Sequence, residues 1–168
     1  MEVTEYPYIW RGSNLQMNLN QKKFDEILNL LIEKFGDKLK FSEEENSKYL
    51  NIKNSNFWMS TDFGEFVVGY GLNHTHFSEE YDNLDEGIIQ VFDLLTNRIK
   101  TTNYKKGDCI FKTTVDIEYP NWKTVNIGTS SILFYPFWKK TKVETSFTEK
   151  LIEKSKIEKE ANQILDLE

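Results

Sequence analysis

The chain of 168 residues is 39% hydrophobic, 14% aromatic and 29% charged, a composition that is typical of a globular protein and argues against disorder. Its 27 acidic and 21 basic side chains give a net charge of -6, which disfavours binding to nucleic-acid phosphates, so we expect no nucleic-acid partner. The length suits one hydrophobic core, and we therefore expect a single domain over residues 1–168.

Cysteine content and apolar patterning indicate a cellular location. The single cysteine, Cys109, cannot form an internal disulfide bond, and residues 1–10 lack the basic start and apolar centre of a signal peptide. No uninterrupted apolar run approaches the roughly 20 residues that a membrane-spanning helix needs. We therefore expect a cytoplasmic protein without a membrane partner.

The first predicted elements are an N-terminal arm and a helix. Residues 1–19 alternate aromatic and polar side chains around Pro7, which predicts an ordered arm or an edge strand. After Asn20, apolar residues recur at helical spacing as far as Gly36, which predicts a helix with Asn20 as its N-cap and Gly36 as its C-terminal stop. The apolar positions of this helix are Phe24, Ile27, Leu28, Leu31 and Phe35.

Three short strands are predicted next. A candidate strand at 49–53 lies between groups of turn-forming residues. Apolar and polar residues alternate over 57–63 and again over 65–72, which predicts two strands joined by a tight turn. In the second of these strands, Gly69 and Gly71 lie opposite the apolar face, where they either leave room for a neighbouring ring or backbone or mark a bulge.

The second half of the chain is predicted to begin with another helix. Asn83 and Glu86 have the spacing of a capping box, and an apolar stripe continues from them to Ile99. Alternating apolar residues then predict two strands, one over 109–117 and one over 122–127.

The last predicted elements are a strand and a C-terminal helix. Residues 132–138 are apolar on both sides, which predicts either a central strand covered on both faces or an edge strand, and Pro136 favours an edge or a strand end. Ser146 and Glu149 have the spacing of a capping box and predict a helix over 144–168.

The order of these elements predicts an α+β fold. Short connections between the strands favour antiparallel pairing. We therefore expect a single antiparallel sheet of about six strands, with about three helices packed mainly on one face.

Both histidines lie in one stretch between a strand and a helix. In an extended chain His74 and His76 point the same way, so both imidazoles can approach one metal ion, with Glu79, Glu80 or Asp82 as a third ligand. Two other interpretations remain open: the histidines pack against the strand end, or they bind a partner with imidazoles that titrate near neutral pH. Because strong zinc motifs carry more ligands, packing is favoured over metal binding, and we expect no cofactor.

An acidic cluster follows the histidines and predicts a docking surface. The favourable effect of carboxylates on a helix dipole explains the acids at the start of the predicted helix but not those of the preceding loop. These loop acids, together with the neighbouring His76 and Tyr81, predict a surface for a basic protein partner, while a solvated charge run is the commoner role of such clusters. The loop acids are Glu79, Glu80 and Asp82.

Two tryptophans and the absence of catalytic motifs complete the list of candidate residues. Trp122 and Trp138 lie beside turns and lysines, where a partly exposed tryptophan is a common interface anchor. Phosphate-binding loops and the sequence motifs of nucleophilic hydrolases do not occur, so no catalytic residue is predicted.

One combination of features resembles known small proteins. It consists of the stretch Tyr70-Gly71-Leu72-Asn73-His74-Thr75-His76-Phe77, an acidic linker, a helix over 85–99, and strands that end in an aromatic run. These are bacterial α+β proteins, some of which are encoded beside polymorphic toxins as immunity proteins. The resemblance covers residues 57 to 138 and matches no named family. It implies a single-domain inhibitor that occludes a toxin, often a basic nuclease, and it assigns no site residues.

Three hypotheses of function follow. The first is a non-enzymatic protein-binding domain of the immunity type that occludes a basic toxin. The second is a metal-dependent hydrolase or metal-binding protein that uses His74 and His76. The third is a structural subunit of a homodimer formed through the predicted strand at 132–138.

Overall fold

The computed structural model describes residues 18–62 and 64–166. Within these ranges the chain forms three α-helices and nine strands in two antiparallel sheets. The predicted α+β class agrees with this architecture, whereas the prediction of one sheet of about six strands is wrong. The predicted N-terminal arm lies outside the described residues, except for its last two positions.

The first sheet is a meander of five strands in which each strand pairs with its neighbour in the chain. Two helices pack on one of its faces, where alternate strand residues such as Leu50, Met59 and Val68 are buried. The helices are α1 (Leu19–Phe35) and α2 (Leu84–Thr96), and the strands are β1 (Leu39–Glu44), β2 (Ser47–Ile52), β3 (Phe57–Thr61), β4 (Phe66–Tyr70) and β5 (Asn73–Phe77).

The second sheet has four strands in the order β8, β7, β6, β9. These strands are β6 (Arg98–Lys106), β7 (Cys109–Glu118), β8 (Thr124–Ser131) and β9 (Thr141–Thr148). The two sheets meet where β8 lies beside β5. The approach is close, because a Cβ atom added at Gly128 would lie 2.8 Å from the Cβ of Asn73.

The first helix begins earlier than predicted. Asn18 is its N-cap, and the side chain of Asn18 accepts a hydrogen bond of 2.9 Å from the N–H of Gln21. Asn20, the predicted cap, is instead a buried residue of the first turn. Gly36 ends the helix as predicted, with a φ of 51° that favours glycine.

The capping box predicted for the second helix is wrong. The side-chain oxygen of Asn83 accepts a hydrogen bond of 2.8 Å from the N–H of Ser78 and makes none to the helix. The helix itself ends at Thr96, and Ile99 belongs to β6. Ile99 nevertheless lies in the core, which explains why it extended the apolar stripe.

The predicted C-terminal helix over 144–168 is wrong in its first part. That part belongs to β9, in which Ser146 lies opposite Thr101 of β6. Seven side chains of β9 are exposed, so pairing with β6 rather than burial holds the strand in place. The described helix of this region is α3 (Glu158–Ile164), which packs against α1.

The prediction of a strand at 132–138 is also wrong. These residues form an irregular loop between β8 and β9. Leu133 and Phe134 are 89% and 93% exposed, so the apolar run lies on the surface and not in the core. None of the described helices is long and apolar enough to cross a membrane.

Candidate functional site

Four ring side chains form a row across the face of the first sheet that is turned away from α1 and α2. The ring centroids are 6.0 Å apart between Tyr49 and Trp58, 5.7 Å apart between Trp58 and His74, and 5.1 Å apart between His74 and His76. The strand register places Trp58 and His74 on either side of Gly69, because Gly69 pairs with both residues. This aromatic row consists of Tyr49, Trp58, His74 and His76.

The aromatic row is held rigidly at Trp58. Its indole lies directly on the backbone of Gly69, where a Cβ atom would overlap the ring. The indole N–H also donates a hydrogen bond of 2.9 Å to the carbonyl of Gly71. The sequence prediction that Gly69 leaves room for a neighbouring ring is therefore confirmed.

Both histidines are exposed because the chain turns back before them. Gly71, with a φ of 61°, and Leu72 form a two-residue hairpin turn between β4 and β5. In β5 the alternate residues Asn73 and Phe77 are buried, which leaves His74 and His76 on the outer face. The rings nevertheless pack at the strand end, because His74 lies against Trp58 and His76 contacts Glu65 in the turn before β4, as the packing interpretation expects.

His76 links the aromatic row to a carboxylate. Its Nδ1 atom lies 2.6 Å from Oε2 of Glu65. An ionised carboxylate only accepts hydrogen bonds, so Nδ1–H of His76 is the donor and Oε2 of Glu65 the acceptor. In a neutral imidazole with this tautomer, Nε2 is the nitrogen that can accept a hydrogen bond from a partner or bind a metal ion.

The structure does not bring the predicted third metal ligand to the histidines. The carboxylate beside them is Glu65, and not Glu79, Glu80 or Asp82. Among residues 18–62 and 64–166, no three His, Cys, Asp or Glu side chains are grouped so that they could hold a metal ion. The pair of histidines alone offers two ligands, fewer than the three that a catalytic zinc site uses.

Three acidic loops that are distant in the sequence converge on the first turn of α1. Asn20 donates a hydrogen bond of 3.1 Å to the carbonyl of Gly64 and accepts one of 3.1 Å from the N–H of Glu79. The next side chain, Gln21, donates one of 3.2 Å to the carbonyl of Asn46. The acidic residues of these loops and of the adjoining strand ends are here called the acidic end, in which Glu43 lies 3.9 Å from Lys48 and Glu65 contacts His76. They are Glu43, Glu44, Glu45, Asp62, Glu65, Glu79, Glu80 and Asp82.

The predicted acidic loop is an exposed part of this end. Residues Glu79 to Tyr81 form a short 3-10 turn in which Tyr81 is exposed, and Asp82 follows with a φ of 53°. In the described part of the chain, no lysine, arginine or histidine forms an ion pair with Glu79, Glu80 or Asp82. These carboxylates are therefore available to a partner.

The two predicted tryptophan anchors are exposed but lie far apart. Trp122 is 96% exposed in the turn between β7 and β8. Trp138 is 72% exposed in the loop before β9, which contacts Lys106 at the end of β6, opposite Cys109 at the start of β7. Since a strand of ten residues spans roughly 33 Å, the two tryptophans belong to different surfaces.

Sequence reasoning missed a cleft of about 400 Å³ next to Trp122. Its floor includes Arg98, whose guanidinium lies 4.0 Å from the ring centre of Phe147. Glu118 and Glu149 each lie 3.4 Å from this guanidinium and balance its charge. The residues come from the ends of three strands, and no sequence motif connects them.

Beside this cleft, Tyr119 donates a hydrogen bond of 2.7 Å to Asp93 of α2. Burial raises the pKa of the Tyr119 phenol far above its ordinary value, and this hydrogen bond and the charge of Asp93 raise it further. Tyr119 is therefore a structural hydrogen-bond donor that ties the second sheet to α2.

Comparison with known proteins gives no relative. No protein-family model matches the chain, and neither a curated protein nor a solved structure is similar to it.

Proposed function

We propose that this protein is a non-enzymatic binding domain that recognises a basic protein partner through the aromatic row and the acidic end. One observation carries the proposal. The fold gathers three acidic loops around the first turn of α1, and the contact of His76 with Glu65 joins them to a rigid row of rings.

The two parts of this surface have different physical effects on binding. Unpaired carboxylates attract a positively charged partner and increase the association rate. Rings that are already fixed, such as Trp58 on Gly69, lose little conformational entropy when they bind and are common interface anchors. The combination favours a specific complex over non-specific attraction of cations.

An immunity-type inhibitor of a toxin is the more specific form of this proposal. Its support is the acidic surface, which suits a basic nuclease. Inhibition would be steric, because a protein that covers a basic substrate-binding surface excludes the nucleic acid from it.

The first experiment measures how two charge-reversed variants of this protein bind a partner. The partner is first captured by purifying it together with this protein from the native cell. The test variant is Glu79→Lys, Glu80→Lys and Asp82→Lys. The control is Glu33→Lys, Glu153→Lys and Glu158→Lys, which changes the net charge equally at exposed carboxylates that pair with nearby lysines. We expect the test variant to lose at least about tenfold in affinity, mostly through slower association, and the control to lose little.

Equal losses in the two variants would show that only net charge matters and would contradict the proposed surface. A further variant, His74→Ala, tests the aromatic row, because this exposed residue can be shortened without opening the core.

The immunity-type form has its own test. The captured partner is expressed alone, and its effect on growth is compared with that of co-expression with the wild type or with the charge-reversed variant. We expect the wild type to restore growth and the variant to fail. A partner that is harmless when expressed alone contradicts the inhibitor form without affecting the protein-binding proposal.

Two observations support metal binding by His74 and His76 as an alternative. Their ring centroids lie 5.1 Å apart, and Glu65 orients His76 in the way that outer carboxylates orient metal-bound histidines. Elemental analysis of protein purified without a histidine tag tests this alternative. Stoichiometric zinc or manganese that disappears in the His74→Ala variant is the result that it requires.

A further inference from the structure

The loop from Ile132 to Lys140, here the aromatic loop, exposes an unusual amount of apolar surface. Leu133 and Phe134 are almost fully exposed, and Phe137 and Trp138 are largely exposed. A single exposed apolar residue is normal, whereas a contiguous group marks a contact site.

This exposure belongs to a fixed conformation of the loop. Tyr135 stacks on Phe111 of β7 with ring centroids 4.5 Å apart. The ammonium group of Lys106 donates a hydrogen bond of 2.6 Å to the carbonyl of Phe137, and the N–H of Ile132 donates one of 2.9 Å to the carbonyl of Phe111. The backbone is thus held against the sheet while the apolar side chains point away from it.

The charge around the aromatic loop is mostly positive, although Asp108, in the turn beside Lys139, and Glu144, which pairs with Lys105, are acidic. Residues 119–143 include no aspartate or glutamate, although the chain has 27 acidic residues in 168. The same stretch has four lysines, three of which directly follow Trp138 within the next four positions. Lys106 and Lys112 extend this positive charge onto β6 and β7 next to the loop.

We propose that the aromatic loop docks on an anionic lipid surface. Its large apolar side chains would enter the boundary between head groups and acyl chains, and Lys139, Lys140 and Lys142 would contact the lipid phosphates. Tryptophan and lysine suit this boundary because each combines an apolar body with a polar end.

The charged composition favours lipid over a protein partner at this loop. Protein interfaces are depleted of lysine relative to the rest of the surface, whereas lysine next to leucine, phenylalanine and tryptophan is typical of segments that bind anionic membranes. The expectation of no membrane partner depended on the lack of a spanning apolar run. A loop that enters only the head-group region requires no such run.

The experiment is co-sedimentation of the full chain with vesicles of equimolar phosphatidylglycerol and phosphatidylcholine, compared with pure phosphatidylcholine. We expect binding to the anionic vesicles that is at least about tenfold tighter than to the neutral ones and that weakens with added salt. Lys139→Ala with Lys140→Ala should weaken binding by roughly 25-fold, since each lysine near such a surface contributes about fivefold.

Apolar insertion is tested by Leu133→Ser with Phe134→Ser, for which we expect a loss of more than about tenfold. The matched control is Trp122→Ser, which removes an equally exposed ring at the other end of β7 and should leave vesicle binding unchanged. Thermal unfolding of each variant shows whether the fold is kept. Because the altered side chains are exposed, we expect unchanged midpoints.

Trp138 reports its own position. Its fluorescence should shift to shorter wavelength on anionic vesicles and be quenched by brominated lipid, and Trp138→Phe should keep binding but lose this quenching. Equal binding to both vesicle types, or equal loss in the Trp122 control, would overturn the proposal. It would also be overturned by a homodimer in light scattering that the serine variant dissociates while vesicle binding is absent.

Discussion

Gly69 is the residue on which the position of Trp58 depends. A methyl group at Gly69 would overlap the indole, so Gly69→Ala must move the ring or the strand. We expect a loss of about 1–3 kcal/mol in the free energy of unfolding, together with a change in tryptophan fluorescence. Urea denaturation measures the first effect and emission spectra the second.

Gly64→Ala is the matched control for this substitution. Among the residues that the structure describes, a Cβ atom at Gly64 would meet only Asp62, at an ordinary contact distance of 3.8 Å. Equal effects of the two alanine substitutions would mean that the indole does not need the space above Gly69.

Tyr119 predicts a dependence of stability on alkaline pH. Its raised pKa means that the folded protein holds the phenolic proton more tightly than the unfolded chain, whose tyrosines titrate near 10. The contribution of Tyr119 is therefore complete below about pH 10 and declines as the pH rises above it. We expect Tyr119→Phe to lose about 1 kcal/mol at pH 8, through loss of the hydrogen bond to Asp93.

The advantage of the wild type over Tyr119→Phe should then shrink by about 1 kcal/mol between pH 10 and pH 11. Urea denaturation at several pH values measures this difference. Tyr81→Phe, which alters an exposed phenol, should show neither effect. If the difference in unfolding free energy between the wild type and Tyr119→Phe is constant across this pH range, the pKa of Tyr119 is not raised by folding.

At the scale of elements, the first turn of α1 organises three loops. The buried amide of Asn20 bonds Gly64 on one side and Glu79 on the other. Asn20→Ala should cost about 1–3 kcal/mol, because it removes two partly buried hydrogen bonds to the backbone of neighbouring loops. Asn29→Ala on the exposed face of the same helix is the control and should cost much less.

Hydrogen exchange tests the same contact locally. We expect faster exchange of the Glu79 amide in Asn20→Ala, since that amide loses its acceptor. Unchanged exchange would mean that the loop is held by other contacts.

Burial determined which elements could be predicted from the sequence. Helix α1 and strands β3 and β4 each have a buried face, so their apolar periodicity matches the structure. Strands β1 and β9 are edge strands with almost entirely exposed side chains, so they lack that periodicity. Their pairing partners specify them, and a partner cannot be identified from the pattern of one segment.

The aromatic loop shows the opposite error. Residues 132–138 have a strand-like apolar composition, yet their side chains are exposed. Apolar composition does not by itself predict burial, because apolar side chains can also be exposed as a surface that contacts another molecule.

Part of the candidate site was also predictable. The space above Gly69 was predicted correctly from a local pattern, and Glu79 and Glu80 are exposed, as the predicted docking surface requires. Tyr49 and Glu65 were missed, because they join the site through cross-strand register and not through proximity in the chain.

At the scale of the whole molecule, the unpaired acids should lower stability while they support binding. Replacing Glu79 and Glu80 by Gln and Asp82 by Asn relieves repulsion between like charges, and Asn tolerates the left-handed backbone at position 82. We expect the thermal midpoint to rise by about 1–3 °C at low salt and the affinity for a basic partner to fall.

Neutralising Glu33, Glu153 and Glu158 by Gln is the control for this effect. Each of these carboxylates pairs with a lysine, so its removal should not raise the midpoint. Calorimetry at low and high salt measures both variants, and a rise that persists in high salt would contradict an electrostatic cause.

The order of strands in the second sheet has a consequence for folding kinetics. All described strand pairs except β6 with β9 join neighbours in the chain. The closing of β9 onto β6 has the largest loop entropy to overcome and should come after the main barrier. Thr145→Gly in β9 should therefore accelerate unfolding and leave the refolding rate nearly unchanged in stopped-flow measurements. In the cell, the exposed edge of β6 would then be the last part of this protein to become protected against misassembly.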